Sequence, residues 1–163
     1  MILSDVDGVM TDGGITFDNQ GIEHKQFHVR DGLGIKLWQK AGLRFGILTA
    51  RSSHIVKVRS AELGVDLVRQ GFDDKLSIVQ QIIAEHKLEL EQVCFIGDDL
   101  TDLPVLKRVS LAVAVADAAE EVQKTAHFKT KLAGGRGAVR ELVEMILKSQ
   151  NRWDEVIQKY VSG

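Results

Sequence analysis

Two carboxylates two positions apart, Asp5 and Asp7, close an apolar run at the start of the chain, Ile2-Leu3-Ser4-Asp5-Val6-Asp7-Gly8-Val9. On a strand, positions i and i+2 point to one side, so both acids can address one ligand. Acids that close repel each other unless a cation or a shared proton relieves them, which points to a divalent metal and a carboxylate that does chemistry. The same letters also suit a solvated Asp-x-Asp-Gly turn. Phe45-Gly46-Ile47-Leu48 runs into Thr49-Ala50-Arg51-Ser52, where a hydroxyl, backbone N–H groups and a helix N-terminus can hold a phosphate or carboxylate, or where Thr49 and Ser52 simply cap a helix. Lys75 falls in a first helical turn, which the helix dipole disfavours for a cation unless an anion faces it; a free surface lysine is the plain alternative. A further apolar run reaches Gly97-Asp98-Asp99-Leu100-Thr101-Asp102, where Asp99 or Thr101 also suits a helix cap. Magnesium takes oxygen ligands, few of them from protein, and Asp5, Asp98 and a backbone carbonyl near Asp7 would suffice.

These groups must be carried by elements that end at one place. After the opening strand, Ile15 to Asp18, the turn Asn19-Gln20-Gly21 and Ile22 to Val29 read as a β-hairpin, spanning about 14–29. Leu33 to Gly42 follows as a helix. Strands at Leu43–Leu48, Val65–Val68, Gln92–Ile96 and Leu111–Val115 then alternate with helices at Ser52–Leu63, Asp74–His86, Thr101–Lys107 and Ala118–Thr125. That alternation predicts an α/β fold, a Rossmann-like parallel sheet with helices on both faces. Such sheets bind ligands at the carboxyl ends of their strands. Gly134-Gly135-Arg136-Gly137 breaks the pattern before a helix at Ala138–Lys148, and a polar tail over about 149–163 closes the chain.

The 163 residues carry one proline and no repeat or low-complexity linker, as expected for a single domain over 1–163. A net charge of −2 gives no electrostatic reason to expect nucleic acid or an anionic membrane as partner. No apolar stretch is long enough to span a bilayer and no signal peptide is visible, so the chain reads as cytoplasmic. Cys94, inside Val93-Cys94-Phe95-Ile96, reads as a buried small hydrophobe.

In order and spacing, Asp5-Val6-Asp7-Gly8-Val9, Thr49, Lys75 and Gly97-Asp98-Asp99 resemble the four motifs of the haloacid dehalogenase superfamily of phosphotransferases. With the hairpin in place of a cap domain, His28-Val29-Arg30-Asp31-Gly32-Leu33-Gly34 and Gly134-Gly135-Arg136-Gly137-Ala138-Val139-Arg140-Glu141 are similar to its capless branch that hydrolyses 3-deoxy-D-manno-octulosonate 8-phosphate. The resemblance implies that Asp5 is the nucleophile and Asp7 the general acid and base. It implies that Thr49 and Lys75 bind the phosphoryl oxygens, and that Asp5, Asp98 and the Asp7 carbonyl hold magnesium. It places His28, Val29, Arg30, Asp31, Gly32, Lys36, Ala50, Arg51 and Arg59 around the substrate. It also implies a homotetramer with shared active sites, in which the glycine-rich segment and Arg136 reach a neighbour. Arg51 and Arg59, eight positions apart, would then share one face of a helix. Position 50 carries Ala where glycine is common in that branch, and position 36 carries Lys where Arg is frequent. Competing expectations are a phosphatase of nine-carbon sialic-type acid 9-phosphates, whose relatives tend to carry an acid at the position of Arg51, and a silent oligomerisation module of the same fold. A receiver-type phosphoacceptor fits the hairpin and the Asp-x-Asp-Gly start poorly.

Overall fold

In the computed structural model, which describes residues 1–162, six parallel strands form one sheet in the order β5-β4-β1-β6-β7-β8. β1 (Ile2–Ser4) lies at its centre, paired with β4 (Phe45–Thr49) on one side and β6 (Cys94–Gly97) on the other. Ile2 faces Phe45 in one neighbour and Cys94 in the other, which brings the ends of all three strands level. The chain winds outward through β4 to β5 (Leu67–Gln70), then crosses to β6, β7 (Leu111–Ala114) and β8 (Phe128–Lys129). The carboxyl end of β1 is therefore the switch point of the sheet, where open α/β sheets form their crevice.

The inner strands β1, β4, β6 and β7 read as nearly continuous apolar runs because helices cover both faces. α1 (Val29–Lys40) packs mainly on α6 (Ala138–Ser149). The other layers are α2 (His54–Leu63), α3 (Lys75–His86), the short α4 (Leu103–Leu106) and α5 (Glu120–Thr125). Ile2, Leu3, Ile47, Leu48, Phe95 and Ile96 are fully buried between the layers. Cys94 is buried too, and burial pushes its thiol pKa up to about 12, an inert packing residue as its apolar run predicts.

The structure corrects the sequence in four places. α1 begins at Val29, four residues before the expected Leu33, so Val29, expected in the hairpin, and Arg30, Asp31 and Gly32, expected as the connection after it, are all helical. The His28 ring caps its N-terminus by accepting from the Arg30 N–H, and Asp31 suits the dipole of the first turn. Gly32 is there for close packing, since a Cβ would meet the Arg59 guanidinium at 2.4 Å. The hairpin pairs over only two residues a strand, β2 (Thr16–Phe17) with β3 (Glu23–His24), and stands apart from the main sheet. β8 was not anticipated at all. The expected tail contains α7 (Trp153–Val161), which docks through buried Val156, with Lys40 Nζ donating to its carbonyl at 3.1 Å.

Candidate active site

β1 ends by delivering Asp5, 7% exposed, into a cleft of about 260 Å³ lined also by Asp7, Gly13, Thr49, Ala50, Arg51, Lys75, Asp98 and Asp99. Its two oxygens are fixed separately, Oδ1 accepting from the Val6 N–H at 2.7 Å and Oδ2 from Lys75 Nζ at 2.7 Å. Lys75 reaches it from the first turn of α3 and donates its other bond to Asp102 at 2.5 Å. The cation in that disfavoured position thus faces two carboxylates, as its place in the sequence requires. Burial opposes its charge, but Asp5 and Asp102 outweigh burial and hold its pKa above the ordinary lysine value.

Asp98 follows β6, with its Oδ1 buried and without a hydrogen-bond partner. Oxygens of Asp5, Asp98 and Asp102 lie within 4.8 Å of one another. Burial, reinforced by Asp5 and Asp102, pushes the Asp98 pKa up to about 8. Burial and Asp102 also raise Asp5 to about 6, although Lys75 pulls the other way. One lysine does not neutralise three acids, and the orphaned oxygen of Asp98 marks where positive charge is missing. A divalent cation with oxygen ligands fits that deficit. Gly8, at φ +86°, lets the backbone pass over Asp98, because a Cβ there would fall 2.0 Å from its Oδ2.

Thr49 is buried at the end of β4, and its Oγ1 accepts from the Arg51 N–H at 3.3 Å rather than capping α2; Ser53 holds the N-cap position. Asp99, in contrast, is a cap, accepting from the Leu100 N–H at 2.8 Å. Arg51 precedes α2, so it shares no helical face with Arg59. Its NH2 lies 3.2 Å from Glu23, and its Nε lies 3.9 Å from Asp7.

Of the expected substrate residues, the structure brings Asp7, Ala50, Arg51 and Lys75 to the cleft and leaves His28, Val29, Arg30, Asp31, Gly32, Lys36, Arg59 and Arg136 outside it. Arg59 stacks over Phe27 and bonds Glu62, lining a separate hollow with Val29. Asp31 points inward and accepts from the Arg140 N–H at 2.8 Å and the Gly137 N–H at 3.2 Å, capping α6 from a neighbouring helix. The glycine-rich segment lies on its own chain: Gly135 N–H donates to Val9 O at 2.9 Å, and a Cβ on Gly134 would sit 1.8 Å from Gly8 O. Its glycines permit contact with the loop after Asp7 instead of supplying a flexible arm. Arg136 lies 3.8 Å from Asp12.

Three polar residues of the site escaped sequence reasoning. Asp102 is in sequence only the last acid of the cluster after the apolar run, yet it is fully buried and also accepts from the Asp98 N–H at 2.9 Å. The signal was its place in the same acid cluster, at the end of the short turn Leu100–Asp102 that follows Asp98 and Asp99. Glu23 and Lys25 come from the hairpin; Lys25 bonds Asp7, while Glu23 accepts from Ser53 Oγ at 2.5 Å.

A buried carboxylate braced by lysine at the switch point of a parallel sheet, beside acids that call for a cation, is the equipment of a metal-assisted phosphohydrolase of the haloacid dehalogenase type. The sequence pattern of haloacid dehalogenase-like hydrolases matches residues 55–142. The 3-deoxy-D-manno-octulosonate 8-phosphate phosphatase of Yersinia pestis is 43% identical over 152 residues, 93% of this chain and 81% of that protein. The chain belongs to the haloacid dehalogenase-like hydrolases and, within them, to the family of 3-deoxy-D-manno-octulosonate 8-phosphate phosphatases. A crystal structure of a probable phosphatase of the yrbi family from Pseudomonas syringae superposes with a TM-score of 0.97 at 42% identity, covering 99% of this chain and 92% of that one. The Moraxella catarrhalis 3-deoxy-D-manno-octulosonate 8-phosphate phosphatase, solved with magnesium, phosphate and the sugar acid, gives 0.95 at 38% identity, covering 98% and 91%.

Proposed function

We propose that the protein hydrolyses 3-deoxy-D-manno-octulosonate 8-phosphate to the free sugar acid and phosphate through an aspartyl-phosphate on Asp5, serving lipopolysaccharide precursor synthesis in the cytoplasm. The observation that carries this is Asp5 itself, a buried carboxylate at the cleft with Lys75 and the Val6 N–H on its oxygens and a second acid two residues on. Asp5 attacks phosphorus and the bond from phosphorus to the sugar oxygen breaks, dividing one hard hydrolysis into two easier steps. Asp7 gives its proton to the departing sugar oxygen, then takes one from the water that attacks the phospho-enzyme, returning Asp5 as a carboxylate and releasing phosphate. Lys75 and Thr49 hold the phosphoryl oxygens, the positioning on which phosphoryl transfer mainly depends. Asp5, Asp98 and the Asp7 backbone carbonyl would hold magnesium. When bound, the ion supplies the charge that lets an anionic nucleophile meet an anionic phosphate.

Arg51, 43% exposed at the rim, supplies a fork for the sugar-acid carboxylate. Of the remaining expected contacts, Asp31 and Gly32 are buried within their own chain, while His28, Val29, Arg30, Lys36, Arg59 and Arg136 serve a neighbour in a homotetramer. Its contact surface is built on the exposed apolar residues of the hairpin region, Ile15, Phe17, Ile22 and Val29. The test is release of phosphate from eight- and nine-carbon sugar acid phosphates with and without magnesium. Hydrolysis of the eight-carbon ester that needs magnesium and vanishes in Asp5→Asn is expected. Retained turnover in that variant, or a higher kcat/KM on the nine-carbon ester, would overturn the nucleophile or the substrate respectively. A fully active monomer in sedimentation would reject the shared site.

A further inference from the structure

The hairpin touches the reaction centre within its own chain. Lys25 leaves the hairpin just after β3, its side chain is fully buried, and its Nζ donates to Asp7 Oδ1. Glu23 Oε1 lies 3.4 Å from the same ammonium and 3.2 Å from the Arg51 guanidinium, and Glu23 Oε2 accepts from Ser53 at the start of α2. Two cations and two acids thus form a closed quartet that ties the hairpin, the loop after β1 and the loop after β4 together. Ser53 N–H in turn donates to Gln70 at 2.7 Å, so the brace is anchored to the edge of the main sheet. A lysine stem carries rotamer entropy that is lost on burial, so holding it fully buried needs an interaction of real strength in return. The bond to Asp7 supplies it.

We propose that Lys25 is a positioning residue for Asp7: by occupying Oδ1 it fixes which oxygen, Oδ2, meets the leaving sugar oxygen with the proton. Glu23 holds the ammonium in place, and Arg51, 3.9 Å from Oδ2 and bonded to Glu23, is the outer, half-exposed member that exchanges these contacts for substrate. This rests on the assignment of Asp7 as proton donor. A carboxyl free to rotate presents its proton in the productive direction only part of the time, and the loss falls on the step in which the leaving group departs.

The experiment exploits leaving groups. A sugar alkoxide needs a proton as it departs, whereas 4-nitrophenolate leaves without one. In the complete protein with magnesium, kcat/KM, which reports the first irreversible step, is measured on 3-deoxy-D-manno-octulosonate 8-phosphate and on 4-nitrophenyl phosphate. Lys25→Met is expected to lose about 10²-fold on the sugar ester, the scale of a misplaced general acid, and less than about threefold on the nitrophenyl ester. Lys25→Arg keeps a donor in the quartet and should recover part of the loss. It also carries the test if the methionine variant fails to fold. Asp7→Asn is the reference for the premise. If it loses equally on both esters, the role of Asp7 itself falls and the proposal with it. If Asp7→Asn discriminates between the esters while the Lys25 variants lose equally on both or on neither, the positioning role alone is overturned.

Discussion

Replacing Asp98 by Asn should make the metal-free protein more stable while removing its response to magnesium. Asp98 has a buried, unpartnered oxygen, and its neighbours Asp5 and Asp102 are both acids. Its pKa is pushed from 3.8 up to about 8, so the folded state binds this proton more tightly than the unfolded chain does. The contribution is therefore fully favourable below pH 3.8 and is lost as pH rises through about 8. Four units at about 1.4 kcal/mol each set a ceiling of about 6 kcal/mol at pH 8, and partial solvent access reduces the realised penalty to about 1–3 kcal/mol. For a chain of this size that is roughly 3–10 °C in Tm. In chelator at pH 8 the variant is expected to melt higher by that amount, and the gap should close as pH falls to 4. Added magnesium should raise the Tm of the parent protein and leave the variant unmoved. Calorimetry or dye-monitored melting across the pH series reads both effects. A variant that melts at or below the parent at pH 8 in chelator would refute the frustrated acid cluster.

Three further outcomes follow from the same geometry. Because a divalent ion must displace the proton on Asp98, its apparent affinity should fall about tenfold per pH unit below 8, and more steeply below 6 where Asp5 also binds a proton, as titration calorimetry at several pH values would detect; a flat profile would contradict the raised pKa values. Asp102→Ala leaves Lys75 one buried partner short and frees the Asp98 and Asp99 N–H groups, so it should cost about 3–5 kcal/mol in denaturant unfolding and depress kcat more than KM. Gly134→Ala drives a methyl to within 1.8 Å of the Gly8 carbonyl, where backbone must move. It should lower kcat at least tenfold by displacing the loop after Asp7, as steady-state phosphate-release kinetics would show; an unchanged kcat would contradict the close approach.

The class of fold and the groups that meet at the cleft were readable from the order of residues: Asp5, Asp7, Thr49, Lys75 and Asp98 come together in the structure. They were legible because each ends or follows an apolar run, and a parallel sheet brings the carboxyl ends of its strands to one edge whatever the details of the helices. What those groups touch follows only from packing between distant segments. Asp102 is one acid of a cluster until Lys75 is seen to need it, and nothing in the sequence singles out Lys25, whose side chain is buried on Asp7. Glycine misled at Gly32 and Gly134 because the letter marks either a turn or a close approach, and only the packed neighbour tells which. Hydrophobic periodicity reports which face is buried, not against what, so the early start of α1, the added strand β8, the docking of α7 and the separation of Arg51 from Arg59 belonged to the folded chain alone.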